Sequence, residues 1–107
     1  MNLQPHIEQF CKRRDELENA LGNPDVTGDN RQLVELTREY SRMKKLAELG
    51  ERYLKLLEDI AANRELIQSE PAESELAGLA KEELPALAAE RDQLELELQY
   101  GVIPPDP

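Results

Sequence analysis

The side chains best equipped for covalent or acid–base chemistry are a single histidine, His6, and a single cysteine, Cys11. On a helix, five residues turn two side chains about 140° apart, so these two are not placed to meet as a nucleophile and its base. The simpler reading is a surface histidine and a small packed thiol. Carboxylates are abundant, but Glu82-Glu83, Glu90-Arg91-Asp92 and Glu95-Leu96-Glu97 interleave with apolar residues as a solvated helix face does. One cysteine excludes an intrachain disulfide and every multi-cysteine metal site. The sequence contains no glycine-rich phosphate loop, EF-hand loop or His-Glu-x-x-His pair. The expectation is a chain with no catalytic residues, no cofactor, no metal and no small-molecule ligand.

Two basic groupings remain as candidates for recognition. Lys12-Arg13-Arg14 lies near the amino terminus, and Arg38, Arg42, Lys44 and Lys45 lie further on. Arg38 and Arg42 are one helical turn apart and project the same way, so they could grip a phosphate or an acidic protein. Arg13, Arg14, Arg38, Arg42, Lys44 and Lys45 are therefore the candidate contact residues. A plainer reading competes, because Glu35 and Glu39 stand three residues before Arg38 and Arg42, the spacing of simple surface ion pairs.

Composition limits what these groups can serve. The 107 residues hold 23 acidic and 13 basic side chains, a formal net charge of -10, which repels nucleic acid and anionic lipid at long range. The acidity is concentrated late: residues 73 to 100 carry eight acidic side chains against only Lys81 and Arg91. The first two thirds can still present local basic patches. No apolar run approaches the roughly 20 residues of a membrane span. With no signal-peptide pattern and one cysteine, a reducing cytoplasm is expected. Hydrophobic residues make up 39% of the chain but aromatics only 4%, so one modest core must be built from Leu, Ala, Ile and Met. Those residues pack helices rather than sheets.

The elements that must position the basic groups read as three helical stretches. Leu3, Ile7, Phe10, Leu17 and Leu21 recur at amphipathic-helix spacing, with Pro5 in the first turn, where a missing N–H costs little. Gly22-Asn23-Pro24-Asp25 ends that helix, Gly22 suiting a left-handed cap. Asp29 or Asn30 caps a second, much longer helix running toward Ser69. Its seam is Leu33, Leu36, Tyr40, Met43, Ala47, Gly50, Leu54, Leu57, Ala61 and Arg64. Leu46, Tyr53, Ile60 and Ile67 flank it and take over its burial in the second half, as a 3.6-residue helix drifts against a 3.5-residue pattern. Gly50 marks either a bend or a close approach. Pro71 suits the opening turn of a third helix, with Leu76, Ala80, Leu84, Leu87, Arg91, Leu94 and Leu98 on one side and a kink at Lys81 to Pro85. Its expected partner is the second helix. Residues 1–100 thus form a helical domain, and Gly101 stops the last helix before an extended linker through Pro107. The predicted class is all-α: a long antiparallel, coiled-coil-like hairpin with a short amino-terminal helix packed on it.

Several short motifs, in order, resemble a known family. Leu21-Gly22-Asn23-Pro24-Asp25-Val26 is similar to the "L-x-D/N-P-x-V" turn that ends the first helix of bacterial class I peptide chain release factors. Leu36-Thr37-Arg38-Glu39-Tyr40 resembles their "L-S-R-E-Y", with Thr for Ser. Leu56-Leu57-Glu58-Asp59-Ile60, Ala80-Lys81-Glu82-Glu83-Leu84 and Val102-Ile103-Pro104-Pro105-Asp106-Pro107 also look like the family, the last like its "L-L-P-x-D-P" exit. The resemblance is to the type that reads UAA and UAG, and it covers essentially the whole chain. Pro85 and the turn from Ser69 to Ser74 depart from the family pattern.

The resemblance implies the family's first domain, which in the intact factor leans toward the stalk base of the large ribosomal subunit, touching rRNA and protein. It also implies coupling to the termination GTPase. The stop-codon tripeptide and the Gly-Gly-Gln hydrolysis motif of such factors do not occur in this chain, so it is expected to be a piece of a longer factor or a truncation. Two other readings compete. A self-associating scaffold or chaperone-like coiled coil would dimerise through the 33-to-67 seam, whereas an acidic nucleic-acid mimic would use only the net charge, against the basic residues of the second helix.

Overall fold

The computed structural model describes residues 2–103, and every regular element among them is an α-helix: α1 (Gln4–Leu21), α2 (Pro24–Thr27), α3 (Asn30–Ser69) and α4 (Glu75–Val102). The three predicted helices are present, with α2 as an addition in the predicted turn. The chain divides within α3 into two compact units, one ending at Glu51 and the other running from Arg52 to Ile103.

In the first unit, the turn after α1 is shaped by local hydrogen bonding. Gly22 is right-handed, with φ -85° and ψ -5°, rather than the expected left-handed cap. Its N–H donates to the Asn19 carbonyl at 3.2 Å, and the Asn23 N–H donates to Ala20 at 3.1 Å, so the helix end closes without a positive φ. Pro24 does more than stop α1. The Asn23 side chain accepts the Asp25 N–H at 3.0 Å and Pro24 takes the first helical position, which nucleates the single turn of α2. Asp29, not Asn30, caps α3, its carboxylate accepting the N–H groups of Arg31 at 3.2 Å and Gln32 at 3.3 Å.

Helix α1 buries Ile7, Phe10 and Leu17, with Leu3 just before it, against a stretch of α3 that buries Met43, Leu46 and Ala47. The two run antiparallel, since Ile7 meets Gly50 while Arg13 reaches Glu39. Gly50 marks a close approach of α1: a Cβ built there would lie 2.6 Å from Ile7 Cγ2. The missing side chain is the space into which Ile7 packs.

The second unit is a helical hairpin. The remainder of α3 buries Tyr53, Leu56 and Ile60, and α4 buries Ala77, Ala80, Leu94 and Leu98. Asn63 bonds Glu83 while Tyr53 bonds Glu95, which fixes the two as antiparallel partners. The hand-over of the α3 seam to Tyr53 and Ile60 occurs as expected, but Leu57 and Arg64 are exposed and Leu56 is fully buried in their place. On α4, Leu76 is 54% exposed and the buried residue is its neighbour Ala77.

The last helix starts and ends later than predicted, and Pro85 does not end it. Pro71 lies in the turn, and α4 opens at Glu75 after Ser74, whose N–H donates to the Pro71 carbonyl at 3.0 Å. Helix α4 runs through Pro85 without interruption. Pro85 and Lys81 are both exposed, so water can satisfy the Lys81 carbonyl that lacks its N–H partner. Gly101 also lies inside α4, and the stop falls at Ile103, extended at φ -72° and ψ 126°. The residue before a proline resists helical geometry, so Pro104 in the sequence sets this end, rather than Gly101. The expected extended tail, Pro104–Pro107, lies outside the described residues.

Candidate functional site

The six predicted contact cations separate into two groups once the helices are in place. Arg13 on α1 is held by α3: its Nε donates to Glu39 Oε2 at 2.7 Å and its Nη2 to Glu39 Oε1 at 2.8 Å. Its Nη1 donates to Glu16 at 3.2 Å. This fork-to-fork geometry is the strongest form of the Arg–carboxylate pair. It holds the Glu39 carboxyl below its ordinary range, against a smaller opposing effect of burial, and raises the Arg13 guanidinium. Arg14 donates to Asp15 at 3.1 Å and to Glu51 at 3.3 Å. Both side chains therefore help to seat α1 on α3.

The α3 cations are arranged differently. Arg38, Lys44 and Lys45 are exposed and, among the described residues, form no ion pair. The expected Glu35–Arg38 pair is not formed, and Glu39 gives its carboxylate to Arg13, while the Arg42 charge also helps lower the Glu39 pKa. At about 100° per residue, Arg38, Arg42 and Lys45 share one face of α3 within about 60°, whereas Lys44 lies about 120° from Arg38. Exposed Arg31, one heptad before Arg38, joins that face and was not singled out in the sequence reading. A 7-residue period among polar residues was the available signal.

The reactive groups sit in structural settings. Cys11 is half-buried, its Sγ 3.8 Å from Glu51 Oε1, and burial pushes the thiol up with Arg14 partly opposing it. A raised thiol is a poor nucleophile at neutral pH. His6 is half-buried on α1. In the second unit, the Tyr53 hydroxyl donates to Glu95 at 2.8 Å, and its pKa is pushed up to about 12, first by burial and then by that bond. Arg52 forks onto Glu90 at 2.8 and 3.0 Å. These interhelical pairs join residues 26 to 42 positions apart, and no local spacing announces them. A shallow depression of about 370 Å³ on α4, lined by Glu75, Gly78, Leu79 and Glu82, contains no nucleophile beside a base. Among the described residues no cluster of ligating side chains could hold a metal ion, and no helix is long and apolar enough to cross a membrane.

Helices tied by internal ion pairs, with cations gathered on one face of α3, define the class of this protein as an all-helical domain. Residues 10–107 match the PCRF domain, and the chain belongs to that family. It is similar to peptide chain release factor 1 of a Nitratiruptor species, 35% identical over 105 residues, 98% of this chain and 28% of that protein. The same factor of Helicobacter pylori is 36% identical over 105 residues, 98% of this chain and 29% of that protein. That of Campylobacter concisus is 34% identical over 101 residues, 94% of this chain and 27% of that protein. The chain spans under a third of the length of these curated relatives. No solved structure matches it.

Proposed function

We propose that this chain is the amino-terminal, ribosome-docking domain of a bacterial translation termination factor, with no catalytic role of its own. The supporting observation is the face of α3 that carries exposed Arg31, Arg38 and Lys45 with half-buried Arg42, on a PCRF-family domain. Cations presented on one helix face suit the phosphates of rRNA or an acidic protein surface. In this reading Arg13 and Arg14 brace the helix pair, and Lys44 lies at the edge of the contact. The intact factor would recognise stop codons and promote peptidyl-tRNA hydrolysis through other domains, joined by a linker that begins after Val102. Its docking partner is the stalk base of the large ribosomal subunit, with functional coupling to the termination GTPase, in the cytoplasm and without a membrane or small-molecule ligand.

The test is sedimentation of the domain with purified ribosomes over a salt series. Contact through four cations should lose on the order of a hundredfold in affinity between about 50 and 200 mM salt, and Arg38→Glu with Lys45→Glu should flatten that dependence. Association that ignores both salt and the substitutions refutes the proposed face. The competing scaffold reading needs the 33-to-67 seam as a dimer surface, but Met43, Ala47, Gly50, Tyr53 and Ile60 are already buried within the monomer.

A further inference from the structure

Helix α4 carries two heptad seams, and the fold uses only one. The inner seam, ending in Leu94 and Leu98, is buried. On the opposite side Ala86, Ala89, Gln93, Leu96 and Tyr100 follow one another at steps of three, four, three and four, the a/d pattern of a coiled coil. All five are exposed, Leu96 at 49% and Tyr100 at 67%. A helix apolar on two sides is expected to have a neighbour on each. The small Ala86 and Ala89 would let a second backbone come close, and Tyr100 supplies the amphipathic aromatic that anchors interfaces.

The flanking positions say what kind of neighbour fits. The residues at the e and g positions of this outer seam include Glu90, Asp92 and Glu97, and no cation stands among them. Glu90 and Asp92 have ion-pair partners in Arg52 and Arg91, yet their side chains remain 42% and 66% exposed. Two copies of α4 laid seam to seam would oppose carboxylate to carboxylate, which is destabilising. From this geometry we infer that the outer face of α4 is a docking surface for a partner protein's helix bearing an apolar heptad seam flanked by lysine or arginine. The apolar row supplies affinity, and the acidic flanks select the partner and its register.

Two designed 21-residue helical peptides test this, each with leucine at a and d, one with lysine and the other with glutamate at e and g. Each is titrated against the chain by fluorescence anisotropy, with sedimentation velocity of the chain alone. The lysine-flanked peptide should bind at least about tenfold more tightly than the glutamate-flanked one. Leu96→Ala with Tyr100→Ala should weaken it by about tenfold or more, and Asp92→Lys with Glu97→Lys should reverse the preference. These side chains are on the surface, and circular dichroism verifies that the variants keep their helix content. Val34→Ala, which removes an exposed apolar side chain from α3 instead, should change nothing. Equal binding of the two peptides, no binding of either, or indifference to Leu96 and Tyr100 overturns the proposal. So does self-association of the chain that Leu96→Ala and Tyr100→Ala abolish, since the occupant would then be a second copy.

Discussion

Gly50→Ala is expected to destabilise this domain although it improves helix propensity. Replacing an interior helical glycine by alanine ordinarily gains about 1 kcal/mol. Here the new methyl would stand 2.6 Å from Ile7 Cγ2, 2.9 Å from Cγ1 and 3.2 Å from Cβ, all well inside van der Waals contact. Ile7 cannot easily yield. It is 2% exposed, and a β-branched residue in a helix has essentially one comfortable χ1 rotamer. The remaining response is to push α1 away from α3, and overpacking of this kind costs about 1–3 kcal/mol. With three close contacts on a stiff side chain the upper half of that range applies, so the net loss should be about 1–2 kcal/mol. Gly78 is the control: a Cβ there meets nothing within 4 Å, and Gly78→Ala should stabilise by up to about 1 kcal/mol.

Urea unfolding of the four members of a double-mutant cycle measures this directly. Ile7→Ala alone removes a buried isoleucine and should cost about 2–5 kcal/mol. In that background the Cγ atoms are gone, so Gly50→Ala should become neutral or stabilising, with a coupling of about 2 kcal/mol. Gly50→Ala that stabilises the wild type, or costs the same with Ala at position 7, would refute the claim that Ile7 occupies the space of the missing side chain.

Two other titrations follow from the interhelical pairs. Glu39 has its pKa lowered in the folded state, so its contribution is present at neutral pH and lost as pH falls below the ordinary value of 4.5 through the folded one. Glu39→Gln should cost about 1 kcal/mol or less at pH 7, because the pair is over a third exposed, and less still in acid; stability curves that stay parallel down to acid pH would contradict the assignment. Tyr53 is raised instead, so its contribution is present below the ordinary value of 10.0 and fades as pH climbs toward about 12. Tyr53→Phe should cost about 0.5–1.5 kcal/mol at neutral pH and remove a late-titrating phenol from the tyrosinate absorbance curve. A Tyr53→Phe variant that leaves the high-pH end of that curve unchanged would contradict the bond to Glu95.

The helical class and the pairing of the two long helices were legible because leucine and alanine recur at steps of three and four. Where the sequence misplaced burial, the error has a physical cause. Leu57 fits the extrapolated seam as well as Leu56 does, but the phase of a long helix drifts, and only the contact with α4 decides that Leu56 is at 0% exposure. Leu76 outranks Ala77 in hydrophobicity, yet α4 begins at Glu75 and its phase turns Ala77 and Ala80 inward. Pro71, Pro85 and Gly101 read as punctuation by local propensity, yet α4 continues past Pro85 and Gly101 and ends at Val102. The Arg13–Glu39 fork was illegible, because each residue had a nearer opposite charge to suggest itself. That pair changed the candidate site most: it withdrew Arg13 into the scaffold and engages both oxygens of Glu39.

The overall charge constrains how the proposed docking can work. A chain of net charge -10 gains no long-range steering toward a polyanion. Its Arg31–Lys45 face can act only once it is within about a Debye length, roughly 8–10 Å at physiological salt. A local patch of four cations under those conditions supplies modest affinity and slow capture on its own. If the domain acts within a longer factor already held on the ribosome, tethering raises the effective concentration of the patch to about the millimolar range, and the weakness no longer matters. The acidic remainder then serves selectivity, since it disfavours free RNA and leaves a matched, pre-positioned surface as the partner the cations can reach. Weak binding by the isolated chain alongside a clear termination defect from Arg38→Glu in the tethered factor is the pair of results this balance requires.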